Sequence, residues 1–265
     1  MSELAGLRAL ITGGSSGIGA AIARELSTRG ADLVLTARRK TQLDEVAATC
    51  TTSTETFVAD LGAPGGAEAV WDSATRTGPI DILINNAGFG AFRPFAATEW
   101  TRDAEMIELN IAALVYLSKR FVAQGKGYLL NVASIGAYQS VPNMALYAAS
   151  KAFVRNFTEG LHDELRGSAV SATCVCPGGT KTAFHAAAGA GDYSWLANAS
   201  MMSAEAVAKI AVRGMLAKKR TVIPGLINKL SCWSVRLVPR WFASATSRRV
   251  LGKPKLALPP RSVAS

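Results

Sequence analysis

Two patterns of apolar residues alternate along the chain. Short continuous apolar runs, such as those in "LRALITGG" and "IDILINNAG", predict strands that are buried on both faces. Between such runs, apolar residues recur every three or four positions, as at Ile18, Ala21, Ile22 and Leu26, and predict helices. Strands that alternate with helices form parallel sheets covered on both sides. The pattern therefore predicts a doubly wound α/β sheet of the Rossmann type.

The predicted elements occupy most of the chain. Strands are predicted in "LRALITGG", "ADLVLTARR", "TETFVADL", "IDILINNAG", "GYLLNVAS", "VSATCVCPGG" and "TVIPG". Helices are predicted in "GIGAAIARELSTRG", "KTQLDEVAATC", "GGAEAVWDSATRTG", "TEWTRDAEMIELNIAALVYLSKRFVAQG" and "NMALYAASKAFVRNFTEGLHDELRG". The length of 265 residues suits one large α/β domain or two small ones. The order of elements favours a single domain, residues 1–225, followed by a C-terminal extension, residues 226–265.

The C-terminal extension differs from the rest of the chain in charge. Residues 206–265 contain 13 Lys/Arg and no Asp/Glu, a net charge of +13. Residues 1–205 contain 16 Lys/Arg and all 19 Asp/Glu, a net charge of −3, and the two parts together give the +10 of the chain. The basic character of the protein therefore belongs to its C-terminal part.

The extension also has an amphipathic pattern. Lys229, Arg236 and Arg240 fall on a different face from the apolar residues, and Pro239 is expected to end or kink the helix. A basic amphipathic helix with tryptophans is typical of peripheral membrane contact, but the same stripe equally suits packing on the domain or on a second subunit. The last stretch, "GKPKLALPPRSVAS", is expected to be disordered. The apolar positions are Ile223, Leu226, Ile227, Leu230, Trp233, Leu237, Val238 and Trp241.

Composition argues against several classes of protein. The four cysteines lack metal-ligand spacing and two histidines add little, so no metal site is expected and the thiols suit a reducing compartment. No apolar run approaches the ~20 residues of a membrane span, and no signal peptide is recognisable. No nucleic-acid-binding motif is present. We expect a cytoplasmic protein, with membrane association only through residues 226–250.

The segment "TGGSSGIG" follows the first predicted strand and opens the first predicted helix. Gly13, Gly17 and Gly19 allow positive φ and a close approach of the backbone to a ligand, and Ser15 and Ser16 add hydroxyl groups. The N-terminus of a helix suits a pyrophosphate. The alternative is a tight turn without a ligand. The strand before it, the helix after it and the second strand about 20 residues later favour a dinucleotide site.

The end of the second predicted strand bears on the choice of cofactor. An acidic residue in this region binds the ribose hydroxyls of NAD in dinucleotide folds, but here Ala37 is followed by Arg38 and Arg39. An arginine can bind a 2′-phosphate in a bidentate manner, which favours NADP(H), with Arg38 as the first candidate. Alternatively, Arg38, Arg39 and Lys40 form a solvated basic run at the start of a helix.

Tyr147 and Lys151 lie four residues apart in "YAASK", so they share one face of a predicted helix. Ser134 follows the fifth predicted strand, at the edge of the sheet where ligands bind. A free phenol has a pKa near 10, and a neighbouring ammonium group favours the phenolate. These three residues are therefore candidates for acid–base catalysis.

Together these motifs resemble the short-chain dehydrogenase/reductase family in order and spacing. The resemblance covers residues 5 to about 224 and rests on "TGGSSGIG", "ADL" (59–61), "NNAG" (85–88), Asn110, Ser134, "YAASK" and "PGGTKT" (177–182). It implies that Tyr147 exchanges a proton with the reacting oxygen and that Ser134 hydrogen-bonds this oxygen. It also implies that Lys151 holds the nicotinamide ribose and lowers the pKa of Tyr147, and that Asn110 holds a water linked to Lys151.

The resemblance further implies a set of cofactor contacts. Asp60 and Leu61 would contact the adenine, and Pro177 and Thr182 the nicotinamide end. The whole set is Gly13, Ser15, Ser16, Gly17, Ile18, Gly19, Arg38, Asp60, Leu61, Asn86, Ala87, Gly88, Tyr147, Lys151, Pro177, Gly178, Thr180 and Thr182. From the residues alone, Asn86 also suits a turn, and Asn110 also suits a bond to a neighbouring carbonyl.

The function expected is NADPH-dependent hydride transfer to an apolar ketone or aldehyde, or from the matching alcohol. An oxoacyl or lipid-like compound is a plausible substrate. Residues 183–200 occupy the position of a substrate lid in the family. Phe89, Phe92 and Phe95, which follow "NNAG", add apolar surface near the same opening. His185 is not expected to be catalytic. The family resemblance implies a homodimer or homotetramer. The alternatives are an NADP-binding sensor and a membrane-surface interaction protein.

Overall fold

Seven parallel strands form one sheet within residues 2–180 and 201–252, the residues that the computed structural model describes. Their spatial order is β3-β2-β1-β4-β5-β6-β7. The direction of winding reverses between β1 and β4, so the loops after these two strands flank a crevice at the carboxyl edge of the sheet. The predicted doubly wound α/β sheet is thus confirmed. The strands are β1 (Arg8–Thr12), β2 (Asp32–Ala37), β3 (Thr54–Val58), β4 (Ile82–Asn85), β5 (Lys126–Val132), β6 (Ala169–Val175) and β7 (Thr221–Val222).

Helices cover both faces of the sheet. One face packs against α1 and α7 through residues such as Ile22, Leu26 and Val212, and the other against α3 and α5 through Trp71 and Phe121. Both faces of the central strands are buried, which explains why these strands read as continuous apolar runs. The helices described are α1 (Gly17–Thr28), α2 (Lys40–Ala48), α3 (Gly66–Thr75), α4 (Trp100–Ile107), α5 (Ala113–Ala123), α6 (Ala145–Glu164), α7 (Ala204–Leu216), α8 (Leu226–Ser234) and α9 (Arg240–Leu251).

The structure differs from the expected elements in two places. The long helix predicted over residues 98–125 is divided by a π-helical turn, Glu108–Ala112, between α4 and α5. Asn110 is the buried residue of this turn, and π-turns often mark functional sites. Helix α7 was not assigned from the sequence. Its buried face is largely alanine and valine, and it packs on α1.

Residues 226–252 of the extension lie against the domain. Pro239 directly precedes α9 and separates it from α8 and the short 3₁₀ segment Val235–Leu237. Cys232 of α8 and Ala243 of α9 are buried. Ser247 of α9 donates a hydrogen bond to the carbonyl of Ser140 over 3.1 Å. The predicted lid, residues 183–200, and almost all of "GKPKLALPPRSVAS" lie outside the described residues.

Candidate active site

The glycine turn after β1 is joined to the loop after β4. The Thr12 hydroxyl accepts the backbone N–H groups of Asn86 and Ala87, each over 3.0 Å. The Asn86 side-chain amide donates to the carbonyls of Thr12 and Gly13. Asn86 therefore holds the shape of the turn with its side chain, in addition to lining the crevice. Its role as a turn residue is therefore compatible with the cofactor contact that the family resemblance implies.

There is no room for a side chain where the turn approaches this loop. A Cβ atom on Gly13 would lie 2.8 Å from Nδ2 of Asn86, and a Cβ atom on Gly19 would collide with the Gly13 carbonyl oxygen. Gly13 and Gly17 also have positive φ, 65° and 57°. The turn thus brings its backbone and the N-terminus of α1 to the floor of the crevice, as the pyrophosphate of a dinucleotide requires. These residues fit a nicotinamide dinucleotide.

Two arginines line the same crevice near the end of β2, and they are held differently. Arg38 faces Asp60, with 3.7 Å between its NH1 and the carboxylate Oδ2, and both side chains are about half exposed or more. Such an exposed pair contributes little to stability, so Arg38 can turn to another anion. Arg39 instead donates to the hydroxyl of Ser16 over 3.1 Å and approaches that of Ser15. Its guanidinium group therefore lies on the glycine turn, which the sequence alone did not indicate.

Ser134 stands at the end of β5 and caps the 3₁₀ helix Ile135–Tyr138. Its Oγ accepts the N–H of Gly136 over 3.1 Å. A hydroxyl that accepts one bond keeps its own hydrogen to donate. The neighbouring Ile135 N–H donates to the carbonyl of Pro177 over 2.9 Å, which joins the loops after β5 and β6. Ser134 thereby presents its hydroxyl to the crevice.

Tyr147 and Lys151 lie one turn apart on α6, as their spacing predicts. The Lys151 Nζ atom lies 5.9 Å from the centre of the Tyr147 ring and donates to the carbonyl of Val132 over 2.9 Å. Lys151 is 5 % exposed, and burial lowers its pKa to about 8. It therefore still carries most of its positive charge at neutral pH. The Lys151 ammonium group is thus held beside the Tyr147 ring.

Asn110 connects this pair to the loop after β4. Its Oδ1 accepts the N–H of Phe89 over 3.1 Å, and its Nδ2 donates to the Phe89 carbonyl and to the Ser150 hydroxyl, each over 3.0 Å. A Cβ atom on Gly88 would lie 2.9 Å from Asn110 Oδ1 and 3.2 Å from Lys151 Nζ. Gly88 thus permits Asn110 and Lys151 to approach each other, and the backbone bond considered from the sequence is present.

A cavity of about 790 Å³ joins these groups. The glycine turn and the two arginines line one part, and Ser134, Tyr147 and Lys151 line another. Of the family-implied cofactor residues, Thr182 lies outside the described residues, and the remaining ones, Gly19 apart, line this cavity. Gly19 lies beneath the turn, against the Gly13 carbonyl.

The extension supplies a further wall of the cavity. Val235, Val238 and Val250 line it, as does Cys232, whose thiol pKa burial raises to about 12. Asn228 of α8 is 3 % exposed and sits so close to Gly178 that a Cβ atom there would collide with its amide. The extension is therefore part of the site and closes it beside the loop after β6.

Three features of the site were missed from the sequence. Thr12 and Asn228 are ordinary polar residues in their local sequence, and their roles appear only through contacts with distant segments. Gly90 lies against the Tyr147 ring, since a Cβ atom added to Gly90 would be 2.7 Å from the ring carbon Cδ2. The position of Gly90 directly after "NNAGF" is the one local feature of the sequence that indicates a role for Gly90 in the site.

Comparison with known proteins gives the same assignment. The short chain dehydrogenase model matches residues 8–193. This chain belongs to the short-chain dehydrogenase/reductase family. It is 35 % identical over 206 residues to an uncharacterized oxidoreductase of Staphylococcus saprophyticus. The matched region covers 74 % of this chain and 85 % of the relative.

Two solved structures of the short-chain dehydrogenase/reductase type extend the likeness to more than nine tenths of the chain. A short-chain dehydrogenase from Sphingobium yanoikuyae in complex with NADPH is 32 % identical, with a TM-score of 0.76, over 95 % of this chain and 98 % of that one. A 7beta-hydroxysteroid dehydrogenase is 25 % identical, with a TM-score of 0.81, over 92 % of this chain and 98 % of that one. The protein is thus an NAD(P)-dependent dehydrogenase/reductase.

Among residues 2–180 and 201–252, no three or more His, Cys, Asp or Glu side chains are grouped so that they could hold a metal ion. In the same described part of the chain, no helix is both long enough and apolar enough to cross a bilayer. Members of the family are typically oligomeric and act on small substrates.

Gly90→Ala is expected to lower kcat at least about tenfold, because the new methyl group displaces the Tyr147 ring and small errors in position are costly in catalysis. Cofactor affinity should change little. Steady-state kinetics and fluorescence titration of the cofactor measure the two effects. Gly160→Ala, on the same helix as Tyr147 and with open space around it, is the control; equal kcat values for the two variants would contradict the proposed contact.

The pKa of Lys151 predicts a pH-dependent stability. Because its pKa is lower in the folded protein, about 8, than the ordinary 10.4, the unfolded chain binds more protons between these values. Stability relative to Lys151→Met should therefore rise as pH increases from about 8 to 10.4. Urea unfolding of both proteins without cofactor, at several pH values, measures the difference. A difference that is constant with pH would show that Lys151 titrates normally.

Proposed function

We propose that the protein is an NADPH-dependent carbonyl reductase that acts on a large apolar ketone, and that it also oxidises the matching alcohol. One observation carries the proposal. The cavity that contains Ser134, Tyr147 and Lys151 continues from the phosphate-binding turn to an apolar wall formed by the C-terminal extension. A substrate bound against that wall is held beside the acid–base groups.

The nicotinamide, when bound, supplies the hydride in reduction and accepts it in oxidation. Tyr147 donates its phenolic proton to the carbonyl oxygen, or accepts the hydroxyl proton in the reverse direction. Ser134 donates a hydrogen bond to the same oxygen, from a hydroxyl fixed by the Gly136 N–H. These two groups orient the substrate and neutralise the charge that develops on the oxygen.

Lys151 acts on Tyr147 and on the ribose of the cofactor. Its charge lowers the free energy of the phenolate, which brings the proton affinity of Tyr147 closer to neutral pH. Its bond to the Val132 carbonyl fixes the ammonium group at the end of β5. Asn110 fixes the loop after β4 beside it, and we assign to Asn110 the water linked to Lys151 that the family resemblance implies.

The lining of the cavity supports an apolar substrate. Phe92, Val141 and Met144 of the domain face the same space as Val238 and Val250 of the extension. Burial of apolar substrate area against these side chains is favourable, at roughly 25 cal/mol per Å². The similar structure of a 7beta-hydroxysteroid dehydrogenase supports a substrate class that includes polycyclic ketones and alcohols. An oxoacyl chain fits the same chemistry.

The preference for NADPH is proposed from the two arginines. Arg39 donates a hydrogen bond to the Ser16 hydroxyl of the glycine turn, and Arg38 faces Asp60 in the same crevice. A phosphate on the adenosine ribose, between β2 and the turn, would be within reach of both guanidinium groups. Ala37, where an acid would repel this phosphate, leaves the position neutral. The NADPH complex of the Sphingobium yanoikuyae relative is in accord with this preference.

We also propose a homo-oligomer formed through the long helices α5 and α6, the usual pairing in this family. Phe153 is 39 % exposed on α6 and stacks on Phe157. A second subunit that covers these rings would remove apolar surface from water.

Tyr147→Phe is expected to reduce turnover by at least about 10³-fold, since the proton donor is lost, while NADPH affinity is retained. The assay is the loss of NADPH absorbance with 2-alkanones of increasing length and with a ketosteroid. The wild-type protein should show kcat/KM values that rise with the apolar area of the ketone. Turnover that survives the substitution would exclude Tyr147 as the proton donor; tight NADPH binding without turnover of any ketone would favour a cofactor sensor.

Arg39→Ala and Arg38→Ala should each weaken NADPH binding at least about tenfold, because each removes a charge-assisted hydrogen bond. NADH binding should change less than about threefold. Fluorescence titration with both cofactors gives the four dissociation constants. Arg76→Ala, at the exposed end of α3, is the control. Equal losses for NADPH and NADH would show that neither arginine contacts the 2′-phosphate.

A further inference from the structure

The segment from α8 through the 3₁₀ segment Val235–Leu237 to α9 has two apolar sides, and only one of them faces the domain. The inner side contains residues that line the cavity, among them Cys232, Val235 and Val238. The outer side contains large apolar residues that are exposed although the helices are packed. We call these the outer face: Leu226 (79 % exposed), Leu230 (66 %), Trp233 (59 %), Leu237 (66 %) and Trp241 (72 %).

The outer face is confined to a short part of the chain. Its five residues fall within 16 consecutive positions on α8, the 3₁₀ segment and the start of α9. An isolated exposed leucine needs no explanation, but a cluster that contains two tryptophans marks an interaction surface. Tryptophan at such a position is typical of the boundary between headgroups and acyl chains.

Charge distinguishes among the occupants of this face. Lys229, Arg236 and Arg240 of the same segment are also exposed, and residues 206–265 contain no acidic residue. In a two-fold contact between copies of the chain, the same face would meet itself and bring these cations together without a counter-charge. An anionic lipid surface supplies both the apolar phase and the negative charge that the face requires.

The rim of the cavity belongs to the same two helices. Ile227 and Phe242 line the cavity, yet they are 53 % and 48 % exposed. They lie next in sequence to Leu226 and Trp241 of the outer face. The opening of the cavity on this side is therefore bordered by apolar residues that continue directly into the outer face.

We infer that the outer face of α8 and α9 docks on an anionic bilayer, and that the apolar substrate enters the cavity from this bilayer past Ile227 and Phe242. The helices lie on the lipid surface, with the basic side chains at the phosphates and the tryptophans at the acyl boundary. The docking stands independently of the catalytic activity, whereas the entry of substrate rests on the proposed reductase function.

Docking is tested on the full chain with vesicles of phosphatidylcholine alone or mixed with phosphatidylglycerol. Wild-type protein should cosediment with the mixed vesicles, and binding should fall as salt is added. The triple variant Leu230→Ser, Trp233→Ser, Trp241→Ser should lose at least about tenfold in vesicle affinity. The triple variant Lys229→Gln, Arg236→Gln, Arg240→Gln should lose vesicle affinity by a similar factor. This loss should occur with the mixed vesicles and not with pure phosphatidylcholine, because only the mixed vesicles contain anionic lipid.

Trp100→Ser is the matched control, because Trp100 is as exposed as Trp241, 72 %, but lies on α4 and is not part of the outer face. It should bind vesicles like the wild-type protein. Circular dichroism and NADPH titration confirm that each variant is folded. Equal vesicle binding by the wild type and the outer-face variant overturns the inference. So does a loss of oligomer mass in light scattering of that variant without vesicles, since the face would then be a subunit contact.

Substrate entry is tested with a long-chain ketone dissolved in the mixed vesicles and a short ketone dissolved in water. The outer-face variant should lose at least about tenfold in turnover of the vesicle-bound ketone and keep turnover of the short one. Equal losses on both ketones overturn the entry route. If no ketone is turned over by any protein while cosedimentation persists, the reductase function fails and the docking holds.

Discussion

The site depends on the close contact between the glycine turn and the loop after β4. Gly13 and Gly19 have no space for a Cβ atom, because the amide of Asn86 and the Gly13 carbonyl occupy it. Thr12 holds the contact from below by accepting two backbone N–H groups. This contact places the cofactor crevice beside the residues that follow β4, and those residues, in turn, border Asn110, Lys151 and Tyr147. The proposed phosphate site and the proposed acid–base groups thus share one piece of backbone.

The parts of the molecule that could be predicted from the sequence are those determined by local geometry. Strands buried on both faces require continuous apolar runs, so the sheet was evident. Tyr147 and Lys151 had to share a helix face once they were four residues apart. The family resemblance, which joins several short motifs in order, then assigned their roles and that of Ser134.

Contacts between distant segments could not be predicted in this way. Asn228 meets Gly178 across fifty positions of sequence, and neither residue has a local pattern that identifies its partner. The same limit applies to the arginines: the sequence favoured Arg38, but the conformation of the loop carries Arg39 to the hydroxyls of Ser15 and Ser16. The apolar stripe of the extension was ambiguous for a different reason. Helical spacing of apolar residues does not show whether a given residue faces the domain or the solvent. Helix α8 contains residues of both orientations.

The two sides of the extension are energetically linked. Helices α8 and α9 have 9 and 12 residues, and helices of this length are marginal in water without tertiary contacts. Their outer face therefore exists as an ordered surface only because the inner side packs on the domain, through Asn228, Cys232 and Ser247. Any ligand that fills the cavity adds contacts to the inner side and stabilises the ordered extension. By the reciprocity of linked equilibria, any surface that binds the ordered outer face raises the affinity of the cavity for its ligand to the same degree.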